Sequence, residues 1–327
     1  MEVTMKRVFL IIFALGIVSC NLPASETALT PTQSPFPIFT ATSTLLVPTE
    51  LSISVSSETP ISPTMTVTPI PCDPSTADYC IVDGTFLFQR PIQPPDNDRI
   101  DLSYAYASTQ NGKRDPHHGV EFQNAFGIPV YAAGDGEVVF ADADKTTKFS
   151  PWTNFYGNVV IIQHANEIYS LYAHLSSILV RVGDTVNAGD EIGQVGATGG
   201  ATGSHLHFEV RTGSAYTDYF STQNPELWML PPQGMGALSV TLKTSYERNY
   251  ERPLVITRYA DGSDDPIYTY YITTYTKGFE FNPEDAVLSS LPPGKYKIAF
   301  SDSSGLKERF VFVEAGKLTE VVFDLDG

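Results

Sequence analysis

The sequence predicts a mainly β protein in which an antiparallel β domain is followed by a small β-sandwich. Between residues 81 and 230, short apolar runs are separated by turns rich in Gly, Asp and Asn. From residue 231 onwards, apolar and polar residues alternate, as in strands with one buried face. No long stretch repeats apolar residues at the period of an amphipathic helix. The chain has 327 residues, 42% of them hydrophobic, which is enough for two cores.

Residues 1–19 are predicted to be a signal peptide. Lys6 and Arg7 precede an apolar run that ends at Val18, and this run is shorter than the roughly 20 residues that span a membrane. The four residues that end at Cys20 resemble the lipobox of bacterial lipoproteins. By that resemblance Cys20 carries a lipid that anchors an extracytoplasmic lipoprotein to the membrane, at the cell surface or in the periplasm. An ordinary signal peptide with an incidental cysteine is the alternative.

Residues 20–71 are predicted to be the lipidated cysteine and a disordered stalk. Ser, Thr and Pro dominate the stretch after Cys20, which contains no Lys, Arg, His or Gly. Such a composition cannot bury a core, so we expect this segment to be an extended spacer that holds the folded part of the chain away from the membrane. Cys72 and Cys80 follow, and a disulfide between them is expected in an oxidising compartment. A zinc-binding cysteine pair is the alternative, although no second Cys or His pair lies nearby.

Residues 72–230 are predicted to be the first folded domain. Its expected strands cover residues 127–131, 136–140, 158–162, 170–174, 178–182 and 191–195, and a last strand begins at His205. All six histidines of the chain lie in this domain, so the chemistry is expected here.

Residues 231–327 are predicted to form a C-terminal β-sandwich accessory domain. Alternating apolar residues mark strands around 238–242, 296–300, 310–312 and 321–325. The segment resembles the transthyretin-like or carboxypeptidase-regulatory-like accessory domains of secreted bacterial proteins. Because it contains no His and no Cys, we expect an interaction or spacer module, and its partner is not identified by the sequence.

The charge balance excludes two classes of partner. The formal net charge is -17 at pH 7, whereas a nucleic-acid-binding protein needs a basic surface. The same acidity disfavours electrostatic docking on anionic lipid. We interpret the charge as a solubility feature.

Two pairs of residues have the spacing of metal ligands. His205 and His207 are two apart on a predicted strand, so they share one face. His117 and Glu121 are four apart on an earlier segment. Two histidines and one carboxylate from separate strands suit an open zinc site that keeps a position for water.

The motifs around these residues are similar, in order and relative spacing, to those of the lysostaphin-type (LytM-type) zinc endopeptidases. The similarity rests on His117-x-x-x-Glu121, Tyr172-Ala-His174 and His205-Leu-His207. Glycine-rich framework segments at 127–136 and 182–199 match as well, and the similarity covers about residues 85 to 230. It implies an antiparallel duplicated hybrid motif fold and an enzyme that hydrolyses peptide cross-links of bacterial peptidoglycan.

The resemblance also implies a role for each site residue. His117, Glu121 and His207 would bind one Zn²⁺ per chain. His205 would be the general base that deprotonates the attacking water and later protonates the leaving amine. His174 would donate a hydrogen bond to the developing oxyanion or to the attacking water.

Glu121 departs from the family pattern, in which Asp usually stands at this position. The extra methylene moves the carboxylate by about 1 Å, and zinc–oxygen distances tolerate little change. One possible consequence is that the backbone adjusts to the longer side chain and the enzyme stays active. Another is that the site prefers a divalent ion other than zinc. Alternatively, the domain is a metal-free relative that binds peptidoglycan or activates another cell-wall hydrolase. We favour the active enzyme because the other site residues are all present.

Other residues near the motifs are expected to have structural roles or to contact the substrate. His118 and His164 are expected to be solvated or capping histidines. Glu209 shares the face of the histidine pair and is expected either to be structural or to orient a metal ligand. Tyr104 and Tyr106 precede the first histidine and are candidates for substrate contact. A third class, a lipoyl- or biotinyl-carrier-like scaffold, needs an exposed lysine at a hairpin tip, and Lys145 and Lys148 lack that setting.

Overall fold

A computed structural model describes residues 71–145, 149–245, 248 and 250–326. The predicted signal peptide, Cys20 and the predicted stalk up to residue 70 therefore lie outside the described residues. Among the described residues, no helix has the length and apolar character needed to cross a bilayer.

The first domain is built almost entirely from short strands. They are β1 (Cys80–Val82), β2 (Val120–Gln123), β3 (Pro129–Tyr131), β4 (Gly136–Ala143), β5 (Asn158–His164), β6 (Ile168–Ala173), β7 (Ser177–Ile178), β8 (Thr185–Val186), β9 (Glu191–Gln194), β10 (His205–Thr212) and β11 (Thr222–Gln223). Single-turn 3₁₀ helices cover Leu102–Tyr104, Ala165–Glu167, Tyr219–Ser221 and Pro225–Leu227.

A seven-stranded sheet in the order β11-β10-β6-β5-β4-β8, with β2 also paired to β10, dominates this domain. All of these pairs are antiparallel. A second sheet contains β3, β9 and β7. The main core lies on the face of β10 that carries Leu206, Phe208 and Val210. A smaller apolar cluster, which includes Phe149 and Tyr156, is separate from that core.

The second domain is the predicted sandwich. Its seven strands, together with β1, form two four-stranded sheets. Its strands are β12 (Gly236–Lys243), β13 (Pro253–Tyr259), β14 (Pro266–Thr273), β15 (Ala286–Leu291), β16 (Gly294–Asp302), β17 (Gly305–Val313) and β18 (Leu318–Asp324). One sheet has the order β1-β18-β12-β15 and the other β14-β13-β16-β17. Within it, β12 and β18 pair in parallel. The predicted mainly β fold is confirmed.

Two details of the strand predictions are wrong. The strand expected at 178–182 is only Ser177–Ile178, and the chain then turns at Gly183, whose φ is 92°. In β17, Phe310 and Phe312 are about half exposed, while Val311 and Val313 are buried. The apolar alternation at 310–312 therefore marks the outer face of this strand.

The domain boundary is less simple than the sequence suggests. β1 lies within the predicted first domain, residues 72–230, but it pairs with β18 of the sandwich. A disulfide joins Cys72 to Cys80, as expected. The boundary near residue 230 remains a prediction.

The two domains meet along a surface that we call the seam. Tyr275 and Phe279 of the sandwich join the main core of the first domain. The Tyr106 hydroxyl donates to the Thr222 carbonyl, 2.7 Å away, and accepts from the Asn282 side chain. The sandwich is thus packed directly against the first domain.

Candidate active site

Strand pairing brings the predicted ligands together. In the register between β10 and β2, His207 lies opposite Glu121, and in the register between β10 and β6 it lies opposite Ala173, just before His174. A Cβ on Gly119 would lie 2.5 Å from the Phe208 carbonyl oxygen and 2.9 Å from the His207 ring. Only glycine permits this close approach of β2 to the histidine strand.

The three predicted ligands form a compact set of donor atoms. His117 Nε2 is 3.2 Å from His207 Nδ1 and 3.7 Å from Glu121 Oε1. The candidate ligand atoms all lie within 4.8 Å of one another, and all three residues are buried. Tetrahedral zinc with bonds of about 2.0–2.1 Å holds its ligand atoms roughly 3.3 Å apart. The three residues therefore fit a zinc ion, and the carboxylate of Glu121 lies beside the two histidine rings.

A buried network fixes the orientation of His207. Its Nε2 is 3.0 Å from Glu209 Oε1, which also accepts a hydrogen bond from the Tyr156 hydroxyl at 2.5 Å. Glu209 Oε2 accepts from Arg211 Nε at 2.7 Å. Since Nε2 of His207 donates to the carboxylate, its Nδ1 presents a lone pair towards His117. This is the second layer of contacts that metal-binding histidines require.

The electrostatics suit neutral histidine ligands. Burial, reinforced by the neighbouring His207, holds the pKa of His117 well below its ordinary value, and a metal ligand must be an uncharged imidazole. Burial would raise the pKa of Glu209, but Arg211 and the hydrogen bond from His207 bring it below the ordinary value. Glu209 is therefore a permanent anion behind the ligand set.

His205 and His174 form a second pair beside the ligands, with ring centroids 4.8 Å apart. His205 Nδ1 is 3.0 Å from the Gly203 carbonyl, and its Nε2 is 3.6 Å from Glu121 Oε1. His174 Nδ1 is 2.9 Å from the Thr198 carbonyl. Burial and then His207 lower the pKa of His174 to about 3. His174 also has a φ of 62°, a conformation that non-glycine residues adopt mainly where the surroundings impose it.

These residues line one cavity of about 350 Å³, which we call the metal-site cavity. Residues 155–156 and 200–202 form part of its wall. Tyr104 also lines it and stacks on the His117 ring at 4.0 Å. Tyr106 is only 3% exposed and packs edge-on against Tyr275 and Phe279 at the seam, so it does not reach this cavity.

The remaining histidines have structural environments. His118 is buried, and its Nδ1 is 3.1 Å from the Thr222 hydroxyl. His164 links the Asp135 carbonyl to the Ser170 hydroxyl, with 2.7 Å to each. Burial is the main cause of the lowered pKa of both rings.

The sequence did not predict that Arg211 and Tyr156 hold Glu209 in this buried network. Arg211 is fully buried and also donates to the Phe149 and Tyr216 carbonyls. The signal for Arg211 was present, because it continues the two-residue spacing of His205, His207 and Glu209 along β10. Tyr156 lies in the loop before β5, far from β10 in the sequence.

Part of the chain is similar to known proteins. Residues 115–219 match the model described as peptidase family M23. The peptidoglycan DD-endopeptidase ShyA of Vibrio cholerae is 45% identical over 95 residues, which are 29% of this chain and 20% of that protein. ShyC of the same organism, also named a peptidoglycan DD-endopeptidase, is 31% identical over 137 residues, or 42% of this chain and 30% of that protein. The cell division protein DipM of Caulobacter vibrioides is 33% identical over 129 residues, or 39% and 20%.

Similar structures have also been solved. The catalytic domain of the antimicrobial peptidase lysostaphin from Staphylococcus simulans is 29% identical with a TM-score of 0.30, covering 45% of this chain and 89% of that one. A zinc-containing peptidase from Vibrio cholerae is 34% identical with a TM-score of 0.30, covering 38% and 36%. The three curated relatives are each matched over 20% to 30% of their length. The family match confirms the resemblance drawn from the histidine motifs.

Proposed function

Since residues 115–219 carry a peptidase family M23 domain, we propose that the protein is a zinc metalloendopeptidase that hydrolyses peptide cross-links of bacterial peptidoglycan. The observation that carries this proposal is the convergence of three ligand-type residues and two further histidines in one cavity. The names of two similar proteins, both peptidoglycan DD-endopeptidases, agree with the substrate.

His117, Glu121 and His207 would hold the zinc. When bound, zinc polarises a carbonyl group and lowers the pKa of water to about 7. Glu209 keeps His207 in the tautomer whose Nδ1 faces the ligand set. Arg211 and Tyr156 hold Glu209 in place.

His205 is the general base in this proposal. Its Nδ1–H donates to the Gly203 carbonyl, so the neutral ring has its lone pair on Nε2. This nitrogen, on the Glu121 side of the ring, takes a proton from the attacking water. It then delivers that proton to the leaving amine.

His174 has the same tautomer, because its Nδ1–H donates to the Thr198 carbonyl. A neutral ring in this state accepts a hydrogen bond at Nε2 and cannot donate one there. Of the two roles that the resemblance allowed, the geometry favours contact with the attacking water, whose O–H would donate to His174. Stabilisation of the oxyanion by this ring would require its protonation.

An enzyme with this substrate acts outside the cytoplasm, and relatives named for peptidoglycan and cell division agree with that setting. We further propose that a lipid on Cys20 anchors the chain to the membrane. The support is the sequence alone, and Cys20 lies outside the described residues.

Digestion of purified peptidoglycan by the full chain, followed by mass analysis of the new ends, tests the function. We expect new peptide ends that disappear with a chelator and return with zinc. His205→Gln should keep zinc but lose about 10²–10⁴-fold in rate, and His207→Gln should lose zinc as well. His164→Gln, a histidine outside the cavity, is the matched control and should keep both. Undiminished cleavage by the chelated protein or by His205→Gln would contradict the proposal.

A further inference from the structure

A second cavity lies at the seam, away from the metal ligands. Its volume is about 390 Å³. Arg99, Ile100 and Leu102 of the first domain line one side, and Arg258 and Tyr270 of the sandwich line the other. The two domains thus each contribute one arginine to the same space.

Within the described residues, neither arginine has an ion-pair partner. Arg258 donates from Nη2 to the Pro293 carbonyl at 2.9 Å, and its Nε is buried without a hydrogen bond. The Tyr270 hydroxyl lies within electrostatic reach of both guanidinium groups. The carboxylate among the lining residues, Glu226, is buried and interacts with Arg90. The cavity is therefore cationic in a chain whose net charge is -17.

We call the cavity lined by Arg99 and Arg258 the arginine cavity. It and the metal-site cavity each share lining residues with a third cavity of about 470 Å³. Leu102 and Glu226 line both the arginine cavity and this third cavity, and Lys113 lines both the third cavity and the metal-site cavity. The 3₁₀ helix Leu102–Tyr104 runs along this path, with Tyr104 at the metal-site end. Tyr104 is five positions after Arg99, and five residues of extended chain span at most roughly 18 Å.

We propose that the arginine cavity is a substrate subsite in which Arg99 and Arg258 bind a carboxylate of the peptide. The planar guanidinium group matches a carboxylate with paired hydrogen bonds. A peptide lying along the three cavities would place this carboxylate within about five residues of the scissile bond. The inference rests on the proposed peptidase function, and it gives the sandwich a role in choosing the substrate.

Steady-state cleavage by the purified full chain tests the subsite. The substrates are a soluble cross-linked stem peptide with free carboxylates and the same peptide with those groups amidated. For Arg99→Gln/Arg258→Gln, we expect KM for the free acid to rise about tenfold or more, with little change in kcat. The amidated peptide should show that raised KM already with the parent, and the variant should change it no further.

The matched control is Arg181→Gln/Lys307→Gln, which removes two positive charges outside the three cavities and should leave KM unchanged. A parent that treats acid and amide alike, or a double arginine variant with the parent's KM, would overturn the subsite. If no variant cleaves either peptide, the proposed function fails instead. Binding of the two peptides, measured by calorimetry, then tests the subsite without turnover: equal affinities of parent and double arginine variant for the free acid would refute it.

Discussion

Arg211 and Glu209 lie behind the candidate metal ligands, whereas Arg90 and Glu226 lie at the seam, and all four side chains are buried. The first pair is in direct contact, with 2.7 Å between Arg211 Nε and Glu209 Oε2. In the second pair Ser289 stands between the charges. Its hydroxyl accepts from Arg90 at 3.0 Å, and its backbone N–H donates to Glu226 at 2.6 Å.

The difference appears in the ionisation of the two glutamates. Glu209 has a lowered pKa because Arg211 and His207 outweigh the effect of burial. Glu226 has a raised pKa because burial dominates, and burial also lowers the pKa of Arg90 to about 10. A buried charge pair compensates its desolvation only when contact is close and the remaining hydrogen bonds are made. The direct pair therefore supplies a fixed anion to His207, while the indirect pair is a weaker, structural link.

The largest expected effect comes from Arg211→Met, which leaves Glu209 as an uncompensated buried charge. We expect the free energy of unfolding to fall by about 3–5 kcal/mol, measured by urea denaturation of the zinc-free protein at pH 7. Arg90→Met is the matched comparison. Its loss should be smaller, because burial raises the pKa of Glu226 and so makes it easier for this carboxyl to become neutral. Equal losses in the two variants would show that the pairs are equivalent.

A smaller effect is expected from Glu209→Gln, measured as zinc affinity by competition with a chelator. The amide cannot hold His207 as an anion does, so affinity should fall about 10–100-fold. Glu226→Gln makes the same chemical change at the seam and should leave zinc affinity as in the parent. If both variants bind zinc equally well, Glu209 has no role in orienting the ligand.

The smallest effect concerns the pH dependence of stability. Because the pKa of Glu226 is raised in the folded state from its ordinary value of 4.5, the folded protein binds this proton more tightly than the unfolded chain does. Its contribution to stability is therefore present at low pH and is lost as pH rises from about 4.5 through the raised pKa. Urea midpoints between pH 4.5 and 7 should fall more in the parent than in Glu226→Gln. Parallel curves would refute the assignment.

Local alternation was enough to predict most strands, but not their partners. The buried faces around 238–242 and 296–300 were predicted correctly, because polar residues or the small Ala299 separate the large apolar side chains. Residues 310–313 are all apolar, so their pattern does not show which side chains face the core. The buried face of this strand was therefore predicted wrongly. The pairing of β1 with β18 joins residues 80 and 320, a separation that no local pattern encodes.

The site was predictable for similar reasons. His205 and His207 share a face by strand geometry alone, and the family resemblance supplied His117, Glu121 and His174. Tyr106 was a candidate for substrate contact, yet the sandwich covers it, and that packing depends on tertiary structure. The arginine cavity was also invisible in the sequence, since Arg99 and Arg258 come from different domains.

The pairing of β1 with β18 has a consequence for the order of folding. Cys80 and Glu320 are partners in that register, so the entire first domain lies between two strands of one sandwich sheet. Contacts this distant in sequence form late, because the loop between them must close first. We expect the first domain to gain its structure while the sandwich is still open. The seam, with its arginine cavity, would then be the last part of the protein to become native.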